Sequence, residues 1–138
     1  MKEKYLIAYM KMLKVFACTS EAKRLKVAAM LVKNGSILSI GINGTPPGWE
    51  TNDCEDYQGN TQWFVRHAEQ ACLDRMLLST ETTKDAIMLI THAPCRNCAI
   101  RILQAGIQEV IYESDYRCNE GIEYLQKHGI IVRKMYLD

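Results

Sequence analysis

The chain has 138 residues, of which 48% are hydrophobic and 24% charged, and its formal net charge is +1. These values are typical of a single globular domain over residues 1–138, and they lack the positive surplus of a protein that coats nucleic acid. Lys11 and Lys14 interrupt the apolar N-terminal residues, which argues against a signal sequence or membrane span. We therefore predict a cytoplasmic protein, in the host cytoplasm if viral, with neither membrane nor nucleic-acid partners.

Hydrophobic periodicity predicts nine elements in the order α-β-β-α-β-α-β-α-β. The predicted helices cover residues 3–17, 66–78, 94–104 and 119–127. The predicted strands cover residues 27–32, 36–42, 86–91, 109–112 and 130–133. Asn34-Gly35 predicts a hairpin turn between the first two strands, and Pro94 is expected to open the third helix. The alternation of helices with apolar strands predicts a three-layer α/β fold with a mixed five-stranded sheet.

Two short motifs at the starts of predicted helices carry the candidate chemistry: His67-Ala68-Glu69 and Pro94-Cys95-Arg96-Asn97-Cys98. One imidazole and two thiolates form three sides of a zinc tetrahedron, and a catalytic site leaves the fourth side to water. A carboxylate two residues after the histidine can move protons without binding the metal. This combination is the signature of zinc-dependent nucleobase deaminases. We predict that His67, Cys95 and Cys98 bind zinc and that Glu69 is catalytic.

Three further segments extend the pattern: residues 24–29 (RLKVAA), 41–46 (GINGTP) and 104–116 (QAGIQEVIYESDY). With the zinc motifs, they make the chain resemble the deoxycytidylate (dCMP) deaminases of the cytidine deaminase-like superfamily, from about residue 24 to residue 132. The resemblance implies a cytidine deaminase-like α-β-α fold. It also implies hydrolysis of dCMP to dUMP and ammonia, which supplies dTTP synthesis.

The resemblance also implies roles for three residues that would contact the nucleotide. Asn43 should contact the sugar or phosphate, Arg24 the 5′-phosphate, and Tyr116 the pyrimidine. From the residues alone, each has a plainer alternative: Asn43 as a turn residue, Arg24 as a solvated charge, and Tyr116 as an ordinary packed or surface aromatic.

Many members of this family bind dCTP as an activator and dTTP as an inhibitor, with Mg²⁺ accompanying the triphosphate, and form homo-oligomers. The resemblance extends these expectations to this chain, as a hexamer or a dimer. One departure concerns the family's H-A-E-x-N-A motif, in which Ala71 here replaces the asparagine and Cys72 the alanine. A hydrogen bond that normally steadies the site is therefore expected to be missing.

Three alternatives stay open at this point. The first is another zinc deaminase, acting on free cytidine or deoxycytidine, guanine or tRNA adenosine. The second is a catalytically decayed, zinc-stabilised binding module, for which Ala71 is the only hint; His92 is the nearest candidate for a fourth ligand. The third is a thiol redox protein that uses Cys95 and Cys98 and needs neither zinc nor Glu69.

Overall fold

The computed structural model describes residues 1–137, and its elements follow the predicted order. The helices are α1 (Glu3–Ala17), α2 (Ala68–Met76), α3 (Arg96–Gln104) and α4 (Glu120–Lys127). The strands are β1 (Ala28–Lys33), β2 (Ser36–Ile42), β3 (Ile87–His92), β4 (Glu109–Ser114) and β5 (Ile131–Lys134). Within these 137 residues, no helix combines the length and hydrophobicity needed to cross a membrane.

The five strands form one mixed sheet in the order β2-β1-β3-β4-β5. Strand β1 is antiparallel to both β2 and β3, whereas β3, β4 and β5 are mutually parallel. The β1–β2 turn contains Asn34 and Gly35 at φ 50° and 78°, the left-handed conformations that a tight hairpin turn requires. The prediction of a mixed five-stranded sheet opened by a hairpin is confirmed.

Helices cover both faces of the sheet, because successive side chains of each strand point to opposite sides. On β1, Met30 and Val32 pack in a core with Leu6, Met10 and Leu13 of α1. A second core fills the other face and draws on α2, α3 and α4; its largest members include Leu31, Met76, Met88, Ile90, Ile102 and Leu125. The three-layer arrangement is the predicted one.

The two helices that carry the motifs begin later than predicted. Helix α2 begins at Ala68, with His67 as its N-cap, and ends at Met76 rather than residue 78. Helix α3 begins at Arg96 with Cys95 as its N-cap, so the prediction that Pro94 opens it is wrong. The Cys95 sulfur accepts a hydrogen bond from the Cys98 backbone N–H, and this contact caps the helix one residue after the proline.

Candidate active site

Hydrogen bonds of His67 and of the residue before it hold His67 at the start of α2. Its backbone N–H donates to Gln70 Oε1 at 2.8 Å. The preceding residue, Arg66, exchanges two backbone hydrogen bonds with Gly44, at 2.9 and 3.1 Å. These hydrogen bonds fix the backbone that carries the imidazole, at the point where the long loop after β2 joins α2.

Helix α2 lies directly on strand β2 at Gly41. A Cβ added at Gly41 would stand 2.5 Å from the backbone nitrogen of Cys72 and 2.8 Å from the carbonyl oxygen of Ala68. Both neighbours are backbone atoms that cannot rotate away, so only glycine allows this approach. This close packing therefore fixes the position of His67 and Glu69, at the start of α2, relative to the sheet.

The predicted ligands converge on one point. The Nδ1 atom of His67 lies 3.6 Å from the Cys95 sulfur and 3.3 Å from the Cys98 sulfur. Ordinary Zn–N and Zn–S bond lengths in a tetrahedron place nitrogen and sulfur about 3.6 Å apart, so the spacing fits a shared zinc ion. Among residues 1–137 no fourth His, Cys, Asp or Glu, including His92, joins the group. Three protein ligands are typical of catalytic rather than closed structural zinc sites.

The electrostatics of Cys95 also suit a cation. Hydrogen bonds from Cys98 and His67 together lower the pKa of the Cys95 thiol to about 3, against an opposing effect of burial. The hydrogen bond to Cys95, together with burial, raises the pKa of the Cys98 thiol. Cys95 thus holds a thiolate beside the start of a helix, where the backbone N–H groups favour negative charge.

Glu69 stands beside the ligands without belonging to their group. The residue is only 4% exposed, and burial raises the pKa of its carboxyl to about 7. It lines the same cavity as His67 and Cys95. A carboxyl with a pKa near neutrality both accepts and releases protons readily, as a general acid–base catalyst requires.

The cavity above these residues has a volume of about 640 Å³. Its walls include the three residues predicted to contact a nucleotide: Arg24, Asn43 and Tyr116. The fully buried Cys98 lies outside the lining. The walls also contain charged or titratable side chains to which sequence reasoning gave no role there: Glu55, His92, Asp115 and Arg117. For Asp115 and Arg117, adjacency to Tyr116 was the available signal.

Comparison with known proteins identifies the family. The sequence profile described as "Cytidine and deoxycytidylate deaminase zinc-binding region" matches residues 3–114, most of the chain. The chain belongs to the cytidine and deoxycytidylate deaminase family.

Similar solved structures come from a cyanophage member of this family. The crystal structure of the S-TIM5 dCMP deaminase with dCMP and dUMP is 47% identical and covers 98% of this chain and 99% of that one, with a TM-score of 0.94. Its apo form is 44% identical, covers 98% and 100% of the two chains, and gives a TM-score of 0.88. The predicted cytidine deaminase-like fold is confirmed.

A curated relative shares the family at lower identity. The Saccharomyces cerevisiae deoxycytidylate deaminase is 26% identical over 136 residues, which cover 91% of this chain but 43% of the yeast protein. This chain therefore spans less than half the length of that relative.

In the structure, Asn43 has a role that the sequence did not indicate. Its side-chain amide donates to the Leu25 carbonyl oxygen at 2.7 Å and accepts from the Val27 N–H at 2.9 Å. Both ends of the amide thus join the end of β2 to the residues before β1. A contact from Asn43 to the sugar or phosphate stays a prediction.

Ala71 marks the departure from the family motif. It is buried in α2 and borders a second cavity of about 310 Å³. Arg66 borders the same cavity, and its Nε atom is buried without a hydrogen-bond partner among the described residues. Because the alanine side chain carries no polar atom, the hydrogen bond expected from the family's asparagine is absent.

Proposed function

We propose that this chain catalyses the zinc-dependent hydrolytic deamination of dCMP to dUMP and ammonia, as the resemblance to the dCMP deaminases implied. The observation that carries the proposal is the convergence of His67, Cys95 and Cys98 beside the buried Glu69 at one cavity. Support for the substrate comes from the cyanophage relative, whose crystal structure holds dCMP and dUMP.

The proposed chemistry divides between the metal and the chain. When held by His67, Cys95 and Cys98, zinc would lower the pKa of a water molecule and so supply a nucleophile at neutral pH. Glu69 accepts a proton from that water and passes protons to the substrate. In the balanced reaction a C4–O bond forms and the C4–N4 bond breaks. One water proton ends on ring atom N3 and the other on the departing ammonia.

Arg24 and Tyr116 are the proposed substrate-binding residues on the cavity walls. Arg24 is exposed, and its guanidinium makes no hydrogen bond or ion pair with the rest of residues 1–137. A free guanidinium can bind two phosphate oxygens at once, which suits the 5′-phosphate. Tyr116 is partly buried, and an aromatic ring in that position can pack against a pyrimidine.

Product analysis with dCMP, CMP, deoxycytidine and a 5-substituted dCMP tests this proposal. We expect dCMP to give dUMP and ammonia with a higher kcat/KM than deoxycytidine. Guanine and tRNA adenosine serve as substrates of the alternative deaminase classes, and we expect no turnover of either. A higher kcat/KM for deoxycytidine than for dCMP would contradict the role of Arg24.

We further propose that dCTP with Mg²⁺ activates the enzyme and dTTP inhibits it, and that the chain acts as a cytoplasmic homo-oligomer, a dimer or a hexamer. These proposals rest on the family resemblance. Exposed apolar side chains on α1, such as Met12 and Val15, support the oligomer. Assays with each effector and light scattering test them. Unchanged rates with both nucleotides would contradict the regulation, and a monomeric mass would contradict the assembly.

A further inference from the structure

Residues 22–27, which we name the strap, form the second half of the connection between α1 and β1 and part of the wall of the 640 Å³ cavity. Four of the six strap residues line that cavity: Ala22, Arg24, Leu25 and Val27. The strap contains no helix or strand, so its conformation depends on contacts from other parts of the chain.

Glu55, in the long loop between β2 and α2, supplies such contacts. Its two carboxylate oxygens accept hydrogen bonds from the Lys23 N–H, at 3.1 and 3.0 Å. One of them also accepts from the Arg24 N–H, at 3.2 Å. Hydrogen bonds to an ionised carboxylate are stronger than those between neutral groups. Glu55 thus holds the strap at the residue that carries the proposed phosphate-binding guanidinium.

The charge of Glu55 argues against direct contact with a nucleotide. The residue lines the cavity that is proposed to receive a phosphate, and a carboxylate there repels an anion. Both of its oxygens are bonded to strap N–H groups. The hydrogen bonds from the Lys23 and Arg24 N–H groups therefore explain the position of Glu55, because a carboxylate is a strong acceptor for such groups.

Arg24 needs this support because nothing else in residues 1–137 orients its guanidinium. Its side chain makes no hydrogen bond or ion pair there, so the direction of the group depends on where the backbone places its Cα. Asn43 fixes the neighbouring Leu25 and Val27, and Glu55 fixes Lys23 and Arg24. The two side chains together thus hydrogen-bond to four of the six strap residues.

We propose that Glu55 is a positioning residue that sets the backbone of Arg24 so that its guanidinium meets the substrate's 5′-phosphate. This inference rests on the proposed function, because it requires a phosphorylated substrate. Glu55 acts through Arg24 and does not itself contact the nucleotide.

The test compares E55Q with the wild-type protein on dCMP and on deoxycytidine, which has no phosphate. An amide keeps the length of the side chain but places an NH₂ group against the strap N–H groups. We expect the KM for dCMP to rise about tenfold, with kcat within about twofold. The kcat/KM for deoxycytidine should not change.

Matched variants serve as controls. E50Q alters an exposed glutamate of the same loop whose side chain makes no hydrogen bond or ion pair within residues 1–137, and we expect wild-type constants. E55D keeps the charge and the acceptors, so its KM for dCMP should lie between those of wild type and E55Q. E55D also keeps the test decisive if E55Q fails to fold.

R24A separates this inference from the proposed function. If R24A leaves the KM for dCMP unchanged, the phosphate role of Arg24 fails, and the role of Glu55 fails with it. If R24A raises that KM but E55Q does not, only the inference about Glu55 is overturned. An equal loss of kcat/KM on dCMP and on deoxycytidine in E55Q would also overturn the inference about Glu55, because it would indicate a merely structural effect. If the inference is correct, the KM of the R24A/E55Q double variant for dCMP should be close to that of R24A alone.

Discussion

Gly121 of α4 lies directly against Cys95. A Cβ added at Gly121 would overlap the carbonyl oxygen of Pro94 and stand 2.9 Å from that of Cys95. These are backbone atoms of the turn that ends β3 and caps α3, so they cannot move without moving a proposed zinc ligand. The last helix of the chain is thus in contact with the metal-binding turn at a position that only glycine allows.

Replacing Gly121 by alanine should therefore disturb both the fold and the zinc site. Overpacking against fixed backbone lowers the free energy of unfolding by about 1–3 kcal/mol, more than the helix propensity of alanine returns. We expect lower zinc content and a lower melting temperature, measured by elemental analysis and thermal denaturation. In G44A, where an added Cβ meets nothing within 4 Å, stability should stay within about 0.5 kcal/mol. A fully stable, zinc-loaded G121A would contradict this prediction.

The Glu69→Gln substitution should abolish catalysis while leaving the metal in place. The amide is nearly isosteric but cannot accept and return protons, so we expect kcat to fall by about 10²–10⁴-fold. Ammonia release measures the turnover, and elemental analysis the zinc. Loss of zinc together with activity would instead assign Glu69 a role in holding the ligands. Wild-type turnover would rule out its catalytic role.

Removal of zinc should inactivate the protein reversibly and lower its melting temperature. A ligand present at a thousand times its dissociation constant adds about 4 kcal/mol to the free energy of unfolding. Treatment with a chelator and re-addition of zinc measure both effects. C98S should bind no zinc at all, whereas C118S, which alters an exposed cysteine outside the ligand group, should bind it normally. Full activity without zinc would favour a thiol redox protein.

Stability at low pH should depend in part on Glu113 of β4. Burial raises the pKa of its carboxyl, but hydrogen bonds from Lys14 and Ser114 outweigh that effect, and the pKa is lowered. The unfolded chain then binds the proton more readily, so this contribution is present above about pH 4.3, the usual glutamate pKa, and is lost as the pH falls further.

The comparison with E113Q tests that contribution. Lys14 Nζ lies 3.1 Å from the Glu113 carboxylate, and the pair is partly exposed, so the substitution should lower the free energy of unfolding at pH 7 by about 0.2–1 kcal/mol. The difference should vanish at low pH, as measured by urea denaturation. E81Q, at an exposed glutamate without an ion-pair partner among residues 1–137, is the control. A gap between wild type and E113Q that persists in acid would contradict the assignment.

Local sequence patterns predicted the elements well, because the periodicity of buried residues is a local property. Leu6, Met10 and Leu13 recur at helical spacing and all enter one core. Asn34-Gly35 gave the hairpin, and the two zinc motifs gave the ligands that the structure brings together. The errors were confined to the ends of helices and strands: α3 begins at Arg96 rather than Pro94, and β4 extends to Ser114 rather than residue 112.

Contacts between residues far apart in the sequence could not be predicted from local patterns. Nothing near Gly121 in the sequence indicates that it will meet Cys95, and nothing near Glu55 indicates that its partners are Lys23 and Arg24. Asn43 lines the cavity, and its amide pairs with the backbone of Leu25 and Val27, which no local pattern indicated. Such pairings depend on the order of the strands, which the sequence pattern did not determine.

The six cysteines differ in their exposure to solvent. The number of thiols that react with an alkylating reagent should therefore report how much zinc the protein holds. Cys18 and Cys118 are exposed, whereas Cys54, Cys72 and Cys98 are buried, and burial raises the pKa of Cys72 to about 12. An alkylating reagent should therefore modify two thiols at once in the zinc-loaded protein. The half-buried Cys95 should become a third as zinc is withdrawn, and the remaining thiols should react only on denaturation.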